Sequence, residues 1–421
     1  MKRIITDQKD EIEKKLNEED IIEREGLDEM GKYLVRPNIL AIIGPRRSGK
    51  SVFSMLLSRR LGETACYVNF DDERLMGAKA SDLDRILQAS YELYGKTNLI
   101  ILDEIQNVDG WELFANRLRR TKKVIITGSN SRLLSGELAT HLTGRYIDYT
   151  LYPFSFKETL GSKPNPYLTE DVAKTRRRLS EYTQGSGFPE YRLFGPGIVV
   201  RTYGDVIGKD CIRRHKIRNE ATFRELANYL VSNYSKEFTY TKLTRIFDLG
   251  NVHTTKNYVT YLREAFLITV LERFSPKLKQ QILAPKKAYA IDQGLCNFVS
   301  FNLTKDTGRL YENIVCTELL RRNPPTNGTR VYYWRDPTHE VDFLIKDGRK
   351  VKQLIQVCYD PTDQDTKNRE EKALIKASKQ LRCDDLTIIT DNKDDKETIN
   401  HKKIKYTPLW KWLLQTKAKT T

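Results

Sequence analysis

The sequence predicts an α/β protein of several domains, built first around a parallel sheet and last around a separate mixed one. Three observations predict it. Apolar strand-like runs alternate with amphipathic stretches from residue 38 to 151. One of those runs leads directly into a Gly-containing loop and a helix, and a second series of strand-like runs occupies residues 331–390. A chain of 421 residues exceeds one ordinary core, and 39% hydrophobic with 10% aromatic residues can bury two or three.

The formal charge of +16, from 72 Lys plus Arg against 56 Asp plus Glu, favours a polyanionic partner, DNA above all. The charge is spread along the chain, so solubility is the competing reason for it. The start "MKRIITDQKDEIEKKL" lacks the apolar stretch of a signal peptide, and no run approaches the roughly 18 apolar residues of a membrane helix. The expectation is a cytoplasmic protein without membrane contact. The six cysteines are far apart and form no CxxC, which points to buried thiols and away from zinc or disulfides.

The first strand and loop are "NILAIIGPRRSGKS" (38–51), followed by the amphipathic "VFSMLLSRRL". Gly44, Pro45, Arg46, Arg47, Ser48, Gly49, Lys50 and Ser51 match GxxxxGK[ST] in its required setting of strand, loop and helix. Glycines let successive backbone N–H groups and the helix N-terminus face phosphate oxygens. Lys50 then reaches the β- and γ-phosphates and Ser51 ligates Mg²⁺, so ATP with Mg²⁺ is the expected ligand.

The next strand, "ACYVNFDDERL" (65–75), ends at Asp71 and Asp72. "NLIILDEIQN" (98–107) is an apolar strand ending in Asp103 and Glu104: Asp103 is placed to hold Mg²⁺, and Glu104 to orient or deprotonate a water. "KVIITGSNSRLL" (123–134) ends in polar residues, of which Asn130, or else Ser129, is the candidate γ-phosphate sensor; the competing role is to cap the turn that follows. "HLTGRYIDYTLYPFSF" (141–156) carries Arg145, which either stabilises transition-state charge, in cis or from a neighbouring subunit, or pairs with a surface carboxylate.

Together "GPRRSGKS", "YVNFDDERL", "LIILDEIQNV" and "TGSNSRLLSGELATHLTGRYIDYTLYPFSFKE" resemble the AAA+-type P-loop ATPases of archaea and bacteria, whose chains continue into a restriction-endonuclease-like domain. The resemblance spans nearly the whole chain. It implies a doubly wound P-loop NTPase (AAA+-like) domain at 1–156 that hydrolyses ATP, followed by a helical lid at 157–216. The lid segment is basic, and its charge faces either a partner or solvent.

From 223 to 274 the order helix, turn, helix, turn, helix, strand fits a winged helix, assigned to 217–285. Its candidate recognition helix, "HTTKNYVTYLREA", would present His253, Thr254 and Lys256 to DNA; protein contact is the alternative use of such a fold.

Residues 286–421 read as helix, three strands, helix and strand, an order that resembles the PD-(D/E)XK nuclease fold. A working site there needs convergent carboxylates for metal and a lysine near the attacking water. Glu312 and Asp342 match two of the acids, but Gln356 stands in the place of the third and Cys358 in that of the lysine. Lys372 is the candidate for a displaced cation; Glu340 is either a spare ligand or, by preference, a surface residue at the start of its strand. A thiol is neutral or anionic and cannot replace an ammonium, so the expectation is a DNA-binding frame with little or no cleavage. The alternatives are an ATP-dependent, resolvase-like nuclease and a nucleotide-gated protein-interaction switch without DNA. A homo-oligomer supplying Arg145 in trans is compatible with the first reading.

Overall fold

The structure is a computed structural model that describes residues 1–18, 21–35, 38–134, 142, 144–301, 306–325 and 328–415. Lys417 and Lys419, at the basic end of the sequence, lie outside the described residues. The chain forms two compact units: Met1–Phe154 with Glu264–Phe266, and Ser155–Arg263 with Leu267–Thr421.

In the first unit a five-stranded parallel sheet has the order β2-β3-β4-β1-β5. The strands are β1 (Ile39–Ile43), β2 (Ala65–Asn69), β3 (Leu99–Asp103), β4 (Lys123–Gly128) and β5 (Tyr146–Thr150). β1 and β3 are buried along their whole length, as expected of strands covered on both faces. Alternation divides them between two cores. Ile39, Ala41 and Ile43 join Val68, Leu102 and Ile126 on one side, while Leu40 and Ile42 join Tyr67, Ile101 and Ile125 on the other. This is the sheet of a P-loop NTPase. Because β4 lies between β1 and β3, its C-terminal end separates the loop after β1 from the acids at the end of β3.

The second unit begins with helices, including Thr169–Gln184 and Pro196–Asp205, and the latter runs on as a π-helix, Val206–Arg213. Next come the helix Glu220–Ser232, strand β6 (Lys236–Phe238), the helices Tyr240–Ile246 and Val252–Glu264, and strands β7 (Ile268–Glu272) and β8 (Lys286–Ala290). These strands form an antiparallel sheet of order β6-β8-β7, so its central strand lies beyond the edge expected at 285.

A six-stranded mixed sheet follows, with order β13-β14-β12-β11-β10-β9. It comprises β9 (Thr329–Arg335), β10 (Glu340–Asp347), β11 (Lys350–Val357), β12 (Leu386–Thr390), β13 (Asp395–Ile399) and β14 (Lys402–Pro408). The helix Thr307–Arg322 precedes this sheet and Gln364–Leu381 crosses between β11 and β12. The whole is α/β. No helix among the described residues is long and apolar enough to cross a membrane.

Candidate functional site

The loop after β1 is shaped by Gly44, whose φ is 152° and whose added Cβ would fall 2.2 Å from the Leu151 carbonyl oxygen. No side chain fits there. Arg47 and Gly49 follow in the left-handed region, at φ 64° and 90°, which turns the intervening backbone into the concave form that receives anions. Ser48 is fully buried, and its hydroxyl oxygen has no hydrogen-bond partner among the described residues. A buried orphan polar atom inside such a cradle fits a phosphate group.

Lys50 opens the helix Lys50–Leu61 and is 5% exposed. Its Nζ donates to the Gly44 and Pro45 carbonyls at 3.2 and 3.1 Å and lies 3.6 Å from Glu104 Oε1. Arg46 Nη1 lies 3.2 Å from Asp71 Oδ2.

The acids at the end of β3 are held differently from one another. Asp103 is buried and accepts from Tyr67 OH at 2.6 Å and from Thr127 Oγ1. Burial, and then the neighbouring Glu104 charge, push its carboxyl above the usual range. Glu104 has φ 52°, an uncommon conformation for this residue type, and its N–H donates to Thr127 Oγ1 at 3.1 Å. Its Oε2 accepts from Gln106 Nε2 at 2.5 Å and from the Ser129 amide at 3.1 Å. Burial opposes its charge, but Lys50 first, then Gln106 and Arg46, outweigh burial and hold the Glu104 carboxyl below its ordinary value. Asn130 is fully buried just past β4, and its carbonyl accepts from the Leu133 amide at 3.1 Å.

Gly44 to Ser51, Asp103, Glu104, Ser129 and Asn130 thus gather at one end of the parallel sheet. Arg145 does not. Tyr146 is in register with Ile39 at the start of β1, so Arg145 lies at the opposite end, roughly 16 Å from the loop at about 3.3 Å per residue. It is exposed, with Nη1 3.5 Å from Asn116 Oδ1. An action of Arg145 on the nucleotide of its own chain is corrected on that ground.

The second unit holds a buried cluster around Lys287 of β8. Its Nζ lies 2.9 Å from Glu312 Oε1, 2.6 Å from Glu340 Oε1 and 3.4 Å from Asp342 Oδ1. Tyr289 OH donates to the same Glu312 oxygen at 2.7 Å. Burial works against the Lys287 charge, but Glu312, Asp342 and Glu340 outweigh it and raise the ammonium well above its ordinary value. Burial, with Glu312 next, pushes Asp342 up to about 7.

Glu312, Glu340, Asp342 and Gln356 therefore do come together. The Gln356 carbonyl, however, is occupied: it accepts from the Asp342 amide at 3.1 Å, while Gln356 Nε2 donates to Glu370 Oε2 at 2.6 Å. Lys372 is exposed and makes no ion pair or side-chain hydrogen bond among the described residues, so it is not the cation of this cluster. That cation is Lys287. Cys358 is buried in the core beside Leu344 and Leu374. No group of three or more His, Cys, Asp or Glu suited to a metal ion occurs among the described residues.

Of the candidate DNA contacts on the helix Val252–Glu264, His253 and Lys256 are exposed, while the Thr254 amide and hydroxyl both donate to Asn251 Oδ1, at 2.8 and 3.2 Å.

An AAA domain family matches residues 36–160, and two families described as domains of unknown function, DUF8612 and DUF4143, match 198–307 and 307–412. Over 402 residues the chain is 35% identical to the uncharacterized protein MJ1544 of Methanocaldococcus jannaschii, which covers 90% of this chain and 89% of that one. It is 30% identical over 336 residues to an uncharacterized protein of Haemophilus influenzae, covering 76% of this chain and 81% of the other. The chain belongs to this AAA-domain family.

Among solved structures it is similar to a Walker-type ATPase of Pyrococcus abyssi, at 13% identity and a TM-score of 0.43, covering 67% of this chain and 97% of that one. As a member of the AAA-domain family, the protein is a P-loop ATPase of AAA type.

Two residues of these sites escape motif reading. Arg24 is buried; its Nη1 donates to the Ser48 carbonyl at 2.9 Å and its Nη2 to the Tyr152 carbonyl at 2.6 Å, bracing the phosphate loop from behind. Nothing in its sequence neighbourhood marks it. Lys287 did leave a signal in "PKKAYAID": a lysine two residues before a tyrosine shares its strand face, inside an otherwise apolar run.

Proposed function

We propose that the protein hydrolyses ATP with Mg²⁺ on the loop Gly44 to Ser51 and couples turnover to DNA held by its second unit, whose nuclease-like frame does not cut. The convergence of Lys50, Asp103 and Glu104 carries the first half. When bound, Mg²⁺ would neutralise charge on the β- and γ-phosphates, and Ser51 with Asp103 would hold it.

The loop amides and Lys50 bind and orient the phosphates. Glu104, kept ionised by Lys50 and fixed by the Ser129 amide, accepts the proton of the attacking water or orients that water. Asn130, next to Ser129, is positioned to read the γ-phosphate. Because Arg145 lies far from the loop of its own chain, any part it plays in turnover requires a neighbouring subunit.

The DNA half rests on the order helix, strand, helix, helix, strand, short helix (Leu278–Leu283), strand with sheet order β6-β8-β7, which suits a winged helix. The absence of cutting rests on Lys287. An ammonium at the focus of three carboxylates supplies the charge that a divalent ion would supply, and the Gln356 carbonyl is already engaged.

The test is phosphate release from ATP by the purified protein, with and without duplex DNA, beside DNA binding by anisotropy. Turnover that rises with DNA supports the reading. No turnover rejects the ATPase half; turnover without DNA binding, accompanied by an ATP-dependent change of assembly, replaces the DNA half with a protein-interaction switch.

A further inference from the structure

We propose that a cleft formed by residues 204–224 seats a nucleic-acid phosphate backbone. This rests on the DNA-associated reading above and adds to it the surface that carries most of the affinity, distinct from the candidate recognition helix.

The cleft is made by an irregular stretch of backbone. The helix Pro196–Asp205 widens into the π-helix Val206–Arg213, a rare form frequently found at functional sites. Asp210 is 1% exposed and lies 3.5 Å from Arg214, which anchors the inner side of the π-helix. The chain then turns through Lys216 at φ 50°, and the buried Ile217 donates its amide to the Ile212 carbonyl at 3.1 Å. Fixing Ile217 inward throws its neighbours Lys216 and Arg218 outward. Asn219 then caps the helix Glu220–Ser232, accepting from the Thr222 amide at 3.2 Å, and the N-terminus of that helix forms the far wall.

The resulting cavity of about 650 Å³ is lined by five cationic and two anionic side chains. The two acids are matched locally: Asp205 lies 3.8 Å from Lys209, and Glu220 lies 3.7 Å from Arg224. Arg213, Lys216 and Arg218 remain. All three are exposed, and none makes an ion pair or side-chain hydrogen bond among the described residues. On the near wall, a Cβ added to Gly204 or Gly208 would meet nothing within 4 Å, so a ligand's backbone can approach the helix closely.

Three unmatched cations in one concave surface fit consecutive phosphates better than a single anion, which would fill little of the volume. The apolar lining residues, Ile212 and Ile217, are themselves buried, so the cleft offers no exposed apolar side chain for insertion among lipid tails. A nucleic-acid backbone supplies the repeated charge without that requirement.

The experiment measures anisotropy of labelled duplex and single-stranded oligonucleotides with the full chain. It compares wild type with Arg213→Gln/Lys216→Gln/Arg218→Gln and with His253→Ala/Lys256→Gln, and uses basal ATP turnover to verify folding. The cleft variant is expected to keep basal turnover and to lose about tenfold or more in affinity. Its salt dependence should flatten by about 0.9 per phosphate contact for duplex, or about 2.7 for three. Millimolar inorganic phosphate should not displace the DNA, and phosphatidylserine vesicles should not bind.

Wild type that binds DNA with the cleft variant equal to it overturns this inference while leaving the DNA reading intact. Wild type that binds neither oligonucleotide overturns both. Vesicle binding lost in the cleft variant, with DNA binding unchanged, reassigns the cleft to anionic lipid.

Discussion

Lys287 Nζ lies 2.9 Å from Glu312 Oε1, and both side chains are buried. The ammonium is the internal counter-charge for acids that would otherwise repel one another. Removing one partner of such a pair leaves uncompensated buried charge, a cost of about 3–5 kcal/mol. Lys287→Met should therefore lower stability by that amount in urea denaturation near neutral pH, and acidification should restore part of it by protonating the stranded carboxylates. A variant as stable as wild type at neutral pH would show the cluster to be well solvated.

The same cluster sets a pH dependence. Asp342 titrates at about 7 when folded, against about 3.9 in an unfolded chain, so the folded state binds more protons between those values. Its contribution to stability must then fall as pH rises from about 4 to about 7. Asp342→Asn should remove that part of the slope in thermal midpoints measured across the window; identical slopes in the two proteins would contradict the assignment.

At the nucleotide site, Lys50→Ala should cut phosphate release by about 100-fold or more by removing a preorganised charge from the phosphates. Glu104→Gln should do the same to turnover while ATP still binds, because the change removes the base and keeps the shape. Nucleotide binding by equilibrium dialysis separates the two, and loss of binding in the glutamine variant would make Glu104 a ligand-holding residue.

Arg145→Ala should leave nucleotide affinity within about twofold of wild type, since Arg145 immediately precedes β5 at the end of the sheet away from the loop. If turnover nevertheless falls, mixing with Lys50→Ala subunits should restore it, because the arginine then comes from a neighbour. Weakened ATP binding by isolated Arg145→Ala protein would contradict the placement.

Much of this was legible because the relevant signals are local. The loop, its strand and its helix follow one another in the chain, as do the acids at the end of β3, so spacing and periodicity suffice. For Arg145 the sequence left action in cis, action in trans and a surface pairing open, and only the register of β5 beside β1 removes the first. Lys372 was considered and Lys287 was not, because reading along the chain looks near β11, whereas β8 reaches the cluster from more than fifty residues earlier. The edge hairpin of β13 and β14 was missed for a different reason. Its residues are largely polar, no residue of β13 and only Ile404 and Tyr406 to Pro408 of β14 being buried, and its turn uses Asn400 and His401 at φ 50° and 63° where a glycine would have announced it.

The central claim is that an ATP-fed protein holds DNA through a nuclease-like frame whose metal focus is filled by Lys287. The most direct measurement follows end-labelled duplex, single-stranded and branched DNA with the purified protein, ATP, and Mg²⁺ or Mn²⁺, beside Asp342→Ala. The account predicts DNA that is bound and remains intact in every lane. Strand breaks that appear with wild type and vanish with Asp342→Ala would contradict it.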